Sequence, residues 1–270
     1  MRAIVLLLAL VILPVRVRAA GDIQAVVTDG VLDVEGDDES NVFRIAAGTE
    51  AGAVVVSGLE ATTVNGGGQP VALAGVGSLR IVAGGGDDRI ELLQLDLDEK
   101  LLVKLGKGHD GLVLQDVRVR GRARIKGSAD RDDVTIRGFS RFSDQLIIET
   151  GRGPDAVTLT NVGLARGVHI DTGGGADTVL VQFCGLDPGE EMLVRSGNGE
   201  DAVTLLGSDF FDDVELDLGD DDDDVLVEDC DFDQEFDADG GDGDDEFDFD
   251  GTNTFEPDER QRIVDFEALT

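Results

Sequence analysis

The sequence predicts an all-β fold, a single-domain parallel β-helix with coils of about 22 to 24 residues. The first observation is a phrase of the form GxGxDxVxL that returns through the C-terminal two thirds of the chain. Its aspartates are separated by 22, 22, 23, 22, 24, 22 and 22 residues. A period in this range is typical of a solenoid, in which each repeat buries its apolar face against its neighbours. The second observation is that apolar and polar residues alternate between the glycines, which is the period of a strand.

Each repeat contains two or three short strands joined by turns. The copies of the phrase begin at Gly84, Gly106, Gly127, Gly151, Gly173, Gly197, Gly219 and Gly241, and the copy at Gly127 carries one extra residue. Like residues of adjacent coils stack about 4.8 Å apart in such a fold. We therefore expect one interior ladder formed by Val157, Val179, Val203 and Val225. The repeats look like those of the right-handed parallel β-helix class.

Residues 1–20 have the features of an export signal. Arg2 supplies a positive start and residues 3–13 form an eleven-residue apolar core, with cleavage expected after Ala19 or Ala20. An apolar core of that length is too short to span a bilayer, so no membrane span is expected in the mature chain. The signal predicts a secreted, periplasmic or cell-surface location.

The remaining chain divides into three segments. Residues 21–83 are expected to form an N-terminal cap with degenerate coils, in which a stretch from Gly36 to Val42 resembles the phrase. Residues 84–257 form the regular coils, and residues 258–270 lack the phrase and form a C-terminal cap. Caps are expected because terminal repeats would otherwise expose a sheet edge.

Charge excludes some partners and favours others. The net charge of -36 argues against a nucleic-acid partner, which would require a basic surface, and favours cation binding. Half of the 22 basic residues lie in residues 100–141, where they could form an anion-binding patch. Exposed ion-pair ladders are the favoured interpretation, because Asp96 and Asp98 hold the repeat positions of Arg118 and Arg120.

Two cysteines occupy the same repeat position but not adjacent repeats. Cys184 and Cys230 are separated by Ser208 of the intervening coil. Two coils place their backbones about 9.6 Å apart, beyond the roughly 7 Å limit for a disulfide. We expect two buried, unbridged thiols.

The glycine–aspartate turns are the best candidates for chemistry. Glycine allows a positive φ and brings backbone carbonyls close together, and the following aspartate supplies a hard oxygen ligand suited to Ca²⁺. The candidate metal ligands are Asp88, Asp110, Asp132, Asp155, Asp177, Asp201, Asp223 and Asp245. The alternative is that each aspartate caps its own turn by accepting from local amides. Neighbouring carboxylates about 4.8 Å apart would repel by roughly 1 to 3.5 kcal/mol, which favours a counter-ion.

These turns resemble the calcium-binding nonapeptide GGxGxDxUx of repeats-in-toxin proteins, most closely around Asp88, Asp177 and Asp245. The resemblance implies Ca²⁺ bound between successive turns. Members of that family repeat every nine residues and have turns on both sides of a coil, whereas here one turn per coil matches the motif.

The expected function is that of an exported, acidic, non-enzymatic β-helix that binds calcium ions in a structural or cell-surface role. One alternative is an adhesin-like protein that binds a polysaccharide or another cell-surface component. Another is an enzyme of the polysaccharide-lyase type, in which Lys126 or Arg124 would act beside Asp132. The absence of Trp and Tyr argues against sugar stacking. His109 and His169 are almost three coils apart and form no paired site.

Overall fold

The computed structural model describes residues 21–189, 191–249, 252–255 and 261–269. The expected export signal, residues 1–20, lies outside the described residues, as do residues 258–260 and 270 of the C-terminal segment. The described chain is an all-β, single-domain parallel β-solenoid of about eight coils, so the predicted fold class is confirmed. Within these ranges no helix is long and apolar enough to cross a membrane.

Three sheets run along the solenoid, and each regular coil contributes one strand to each of them. The strands of the first sheet are Asp22–Thr28, Val31–Glu35, Thr63–Val64, Ser78–Gly85, Leu101–Lys107, Ala123–Lys126, Leu146–Glu149, Val168–Asp171, Met192–Asn198, Val214–Asp220, Phe236–Asp242 and Gln261–Val264. Those of the second sheet are Val42–Ala47, Val54–Gly58, Val71–Leu73, Arg89–Leu93, Asp110–Gln115, Asp132–Arg137, Ala156–Thr160, Thr178–Gln182, Ala202–Leu206, Asp224–Glu228, Glu246–Phe249 and Ala268–Leu269. The third sheet consists of Asp96–Leu97, Arg118–Val119, Arg141–Phe142, Gly163–Leu164, Gly185–Leu186, Asp209–Phe210, Asp231–Phe232 and Thr254–Phe255.

The connections between the sheets repeat from coil to coil. The glycine–aspartate turn joins a first-sheet strand to the second sheet, as between Met192–Asn198 and Ala202–Leu206. A residue with positive φ then turns the chain toward the third sheet, for example Asn161 with φ of 55° or Phe183 with φ of 52°. Each coil therefore carries one glycine–aspartate turn, on one corner of the solenoid.

Alternating side chains fill the interior. Val157 pairs with Val179, Val179 with Val203, and Val203 with Val225, all in parallel register. All four side chains are buried. The predicted interior ladder is confirmed, and it follows from the two-residue period of each strand combined with the constant length of most coils.

The cysteines lie where the repeat predicts. Ser208 of the intervening coil accepts a hydrogen bond at its Oγ from the backbone N–H of Cys184, at 3.1 Å. Both thiols are buried, and burial raises the pKa of Cys184 and of Cys230 to about 11. These thiols therefore act as small apolar groups rather than as nucleophiles.

Antiparallel hairpins cover the N-terminal end. Asp22–Thr28 pairs with Val31–Glu35 in the first sheet, and Val42–Ala47 pairs with Val54–Gly58 in the second. Val31–Glu35 pairs in parallel with Ser78–Gly85, and Val42–Ala47 pairs in parallel with Arg89–Leu93. These two strands therefore belong to the stack, and residues 48–77 are an insertion at its end.

Phenylalanines fill the core of the C-terminal coils. The rings of Phe210, Phe232 and Phe255 stack with centroids 5.2 and 4.9 Å apart. The strand Gln261–Val264 pairs in parallel with Phe236–Asp242 and extends the first sheet by one more coil. The aromatic ladder gives these strongly acidic coils a continuous apolar interior.

Candidate functional site: the aspartate row

The glycine–aspartate turns stack so closely that their glycines cannot be replaced. Gly197 and Gly199 have φ of +103° and +120°, in the region that favours glycine. A Cβ on Gly197 would lie 2.0 Å from the carbonyl oxygen of Gly173 in the preceding coil. The turns therefore bring the backbones of adjacent coils into direct contact just before the aspartates.

The eight predicted aspartates form one continuous row beside these turns, and all are at most 3% exposed. In six of the eight, the carboxylate accepts a hydrogen bond from the backbone N–H of the aspartate in the coil before it. Asp177 Oδ1 accepts from Asp155 N at 2.7 Å, Asp201 Oδ1 accepts from Asp177 N at 2.7 Å, and Asp223 Oδ1 accepts from Asp201 N at 2.8 Å. We call this arrangement the aspartate row. Its hydrogen bonds join coils rather than close single turns.

The irregular coil at Gly127 interrupts the pattern. Asp132 Oδ2 accepts from the backbone N–H of Ser128 at 2.8 Å, within its own turn, and the N–H of Asp110 donates instead to the carbonyl of Arg131 at 3.1 Å. The alternative of local capping is therefore correct for Asp132. For the aspartates that cap a neighbouring coil it is wrong, because the nearest free amide belongs to that coil.

Two residues that sequence reasoning missed extend the row. The N–H of Asn41 donates to Asp88 Oδ1 at 2.7 Å, and the N–H of Asp245 donates to Glu267 Oε2 at 2.8 Å. Asn41 ends the degenerate copy of the phrase, which was the available signal for it. Nothing in the sequence around Glu267 resembles the phrase.

One carboxylate oxygen of every aspartate in the row is buried without a hydrogen-bond partner among the described residues. These atoms are Oδ2 of Asp88, Asp110, Asp155, Asp177, Asp201, Asp223 and Asp245 and Oδ1 of Asp132. An ionised oxygen in such a place loses its hydration without compensation, which is costly. The row therefore favours any species that neutralises it.

Burial raises the pKa of every aspartate in the row above its ordinary value. The pKa reaches about 7 in Asp88, Asp132 and Asp223 and about 6 in Asp155 and Asp201. The amide donors oppose the increase in pKa, and for most of these groups the charges of neighbouring aspartates add to it.

The oxygen atoms along the aspartate row meet some of the requirements of a hard cation but not all of them. Carboxylate oxygens are the ligands that Ca²⁺ prefers, and the unpartnered oxygens recur in every regular coil. The turn carbonyls are already engaged between coils: Gly151 O accepts from Gly174 N and Gly173 O accepts from Asn198 N. Across the described ranges, no cluster of three or more His, Cys, Asp or Glu side chains is arranged to hold a metal ion. Each interval between coils thus offers a pair of aspartates rather than a closed cage.

The strand register shows where the residues of the predicted ion-pair ladder and of the lyase-type site lie. Arg118 and Arg120 contact Asp96 at 3.7 and 2.8 Å, so the predicted ion-pair ladder is confirmed. In the lyase-type constellation, Asp132 is fully buried. Its proposed partners Arg124 and Lys126 lie on the outer face instead, where both contact Glu149 at 2.6 Å.

Comparison with family models, with curated proteins and with solved structures found no match for this chain. The class of protein is therefore defined by the fold alone, as a parallel β-solenoid. The likeness to repeats-in-toxin turns remains a local resemblance of the turn sequences.

Proposed function

We propose that this chain is an exported, non-enzymatic structural β-solenoid that binds Ca²⁺ along the aspartate row. The observation that carries the proposal is the buried, unpartnered carboxylate oxygen that recurs in every coil of the row. A cation held between the oxygens of successive aspartates would neutralise them where no hydrogen-bond donor does. Export remains an expectation from residues 1–20.

At neutral pH, electrostatic repulsion favours a row with bound cations over a row without them. Carboxylates about 4.8 Å apart repel by roughly 3.5 kcal/mol at an effective dielectric constant of 20. The row is continuous over many coils, so each central aspartate has a charged neighbour on both sides. Either protons or cations must neutralise it, and protons become scarce above the raised pKa values.

The ligands would be oxygen atoms supplied by the turns and by neighbouring side chains. Besides the paired aspartate oxygens, the buried hydroxyl oxygens of Thr172 and Ser196 lie beside Asp177 and Asp201. These hydroxyls donate to the carbonyls of Ser196 and Leu218, so Oδ2 of both aspartates is left without a donor. Ca²⁺ accepts six to eight oxygens in flexible geometry, whereas Mg²⁺ demands a nearly ideal octahedron. The proposal therefore predicts a preference for Ca²⁺ over Mg²⁺.

The experiment is calorimetric titration of the chelator-treated protein with CaCl₂ near neutral pH. We expect saturable binding with Kd on the order of 10⁻⁴ to 10⁻³ M, as in extracellular modules. The combined variant Asp177→Asn, Asp201→Asn, Asp223→Asn should bind fewer ions. The matched control is Asp209→Asn, Asp224→Asn, Asp248→Asn, which removes the same charge from exposed positions and should leave the stoichiometry unchanged.

Two outcomes would contradict calcium binding by the row. One is the absence of saturable heat, and the other is an equal loss of ions in the buried and exposed variants. If MgCl₂ or added NaCl protected the fold as well as CaCl₂, the row would be a screened carboxylate ladder without a specific site.

Exposed phenylalanines favour an adhesin-like role as the second candidate. The side chains of Phe139, Phe183 and Phe211 are 90%, 55% and 41% exposed. Exposed aromatic groups of this size mark interaction sites when they cluster. Loss of retention on an acidic polysaccharide or on cells in a Phe139→Ser, Phe183→Ser variant would support this role, and unchanged retention would reject it for these residues.

A further inference from the structure

The outer surface of the first sheet carries an ordered pattern of charge across five consecutive coils. Two side chains per strand, on the side of the sheet away from the core, form two columns, which parallel pairing holds in register. Among them, Leu193 is buried. The first column is Arg124, Ile147, His169, Leu193 and Glu215. The second column is Lys126, Glu149, Asp171, Arg195 and Asp217. We call these ten side chains the first-sheet face.

The pattern is self-complementary about its central coil. In the first column, Arg124 lies two coils before His169 and Glu215 lies two coils after it, and apolar Ile147 and Leu193 flank the centre. In the second column, each basic residue has an acidic residue at the same number of coils on the other side of the centre. Lys126 corresponds to Asp217, and Glu149 corresponds to Arg195 across the centre at Asp171.

We propose that this face binds a second copy of the chain, with the two solenoids antiparallel. A two-fold axis would lie in the interface and run along the strand Val168–Asp171. It would place each column opposite the same column of the second copy, with the coils in reverse order. Arg124 would then face Glu215 of the second copy, Lys126 would face its Asp217, and Glu149 would face its Arg195. Asp171 at the centre of the second column would face its own copy, which is the one contact between like charges in this arrangement. Such an isologous contact requires a surface that is complementary to itself, as this one is.

The same columns disfavour the parallel arrangement, which would bring more like charges together. With the solenoids parallel, residues of the same coil would face one another, so the basic coil of Arg124 and Lys126 would meet its own copy. Like charges in direct opposition are unfavourable. Residues of the adjacent coils continue the antiparallel pattern, because Lys104 would face Asp239 of the second copy.

Basic and acidic side chains are nearly balanced on the first-sheet face. Three of its ten side chains are basic and four are acidic, in a chain with a net charge of -36. Long-range repulsion between copies is screened beyond about 8 Å at physiological ionic strength, whereas pairs in contact are screened much less. Five coils span only about 20 Å. The face therefore suits a weak dimer of the kind formed by small interfaces.

Contacts within one copy hold the charged groups in place without covering them. Arg124 contacts Glu149 at 2.6 Å and Arg195 contacts Asp217 at 3.5 Å, with the four side chains between 30% and 52% exposed. Glu215 is exposed and has no ion-pair partner among the described residues. Pre-positioned side chains lose less conformational freedom on association.

The test is sedimentation equilibrium of the full chain at about 0.15 M salt, with and without chelator. We expect a monomer–dimer equilibrium in the wild type. Arg124→Glu and Glu215→Arg should each weaken self-association by at least about tenfold, because each places like charges opposite one another. An equimolar mixture of the two variants should recover the dimer, since the mixed pair restores both contacts. The control is Arg137→Glu, which makes the same charge change on the second sheet and should leave the equilibrium unchanged.

A monomer at all concentrations, or a mixture of variants that fails to recover the dimer, would overturn the proposal. Lys126→Glu with Asp217→Lys provides a second swapped pair if one of the first variants does not fold, as judged by circular dichroism. The aspartate row is buried inside the solenoid, whereas Arg124 and Glu215 lie on its outer side and are not among the proposed calcium ligands. Failure of calcium binding and failure of self-association are therefore separate results.

Discussion

At the residue scale, the two oxygens of each aspartate in the row have different roles. One oxygen accepts the amide of the coil before, as Asp201 Oδ1 accepts from Asp177 N at 2.7 Å. The other oxygen is buried without a partner. The hydrogen bond to the first oxygen holds adjacent coils together. The burial of the second oxygen accounts for the raised pKa and is the reason why we expect a cation to bind.

Substitution at Asp201 separates these two roles. Asp201→Asn keeps an oxygen acceptor and removes the buried charge, so above the raised pKa and without calcium it should stabilise the fold by about 1 to 3 kcal/mol. Asp201→Ala leaves the Asp177 amide buried without an acceptor and should destabilise by about 1 to 3 kcal/mol. Urea unfolding in chelator measures both. Equal destabilisation by both variants would show that the charge itself is required.

At the scale of the element, the glycine–aspartate turn depends on backbone approach. The first glycine of one turn lies against the carbonyl of the same glycine in the coil before, so the turn tolerates no side chain. The turn in this way sets the stacking distance on its corner of the solenoid. The aspartates that follow are placed by the glycines rather than by their own side chains.

Gly197→Ala should destabilise the protein by at least about 2 kcal/mol, because alanine at positive φ is strained and its Cβ would meet the Gly173 carbonyl at 2.0 Å. Gly185→Ala is the matched control, because Gly185 lies in a third-sheet strand and a Cβ there would have no atom within 4 Å. We expect the control to be neutral or slightly stabilising. Denaturant midpoints measure the difference, and similar midpoints would show that the turns can separate.

At the scale of the whole molecule, stability should depend on pH and calcium together. The folded pKa of Asp88, Asp132 and Asp223 is about 7, above that of an ordinary aspartate. The folded state therefore binds protons more tightly than the unfolded chain. Stability from this source is fully present below the ordinary aspartate pKa and is lost as pH rises through about 7.

In chelator, the free energy of unfolding should fall by at least about 3 kcal/mol between about pH 5.5 and pH 7.5. Exposed carboxylates are already ionised over that range, because their pKa values lie near 4. Calcium should restore stability at the upper pH and have less effect at the lower pH, where protons compete for the same oxygens. Urea unfolding at each pH measures this, and the triple variant Asp177→Asn, Asp201→Asn, Asp223→Asn should show a weaker dependence. If the free energy of unfolding did not change with pH, the row would either stay uncharged or be fully hydrated.

The sequence by itself determined the solenoid and much of its interior. A repeat of nearly constant length, with strand alternation inside it, leaves each coil only its neighbours as a place to bury apolar side chains. For this reason the valine ladder from Val157 to Val225, the separation of Cys184 from Cys230, and the pairing of Arg118 with Asp96 followed from position in the repeat.

Only the tertiary structure decided what the aspartates contact and where the row ends. For seven of the eight aspartates the amide that meets the carboxylate belongs to another coil, and Asn41 lies 47 residues before the Asp88 oxygen that it binds. The antiparallel strands that separate them, Val54–Gly58 and Val71–Leu73, follow no repeat. A repeat pattern defines neighbours at a fixed interval, whereas these contacts depend on how the stacked coils close at their ends and which atoms they leave unpartnered.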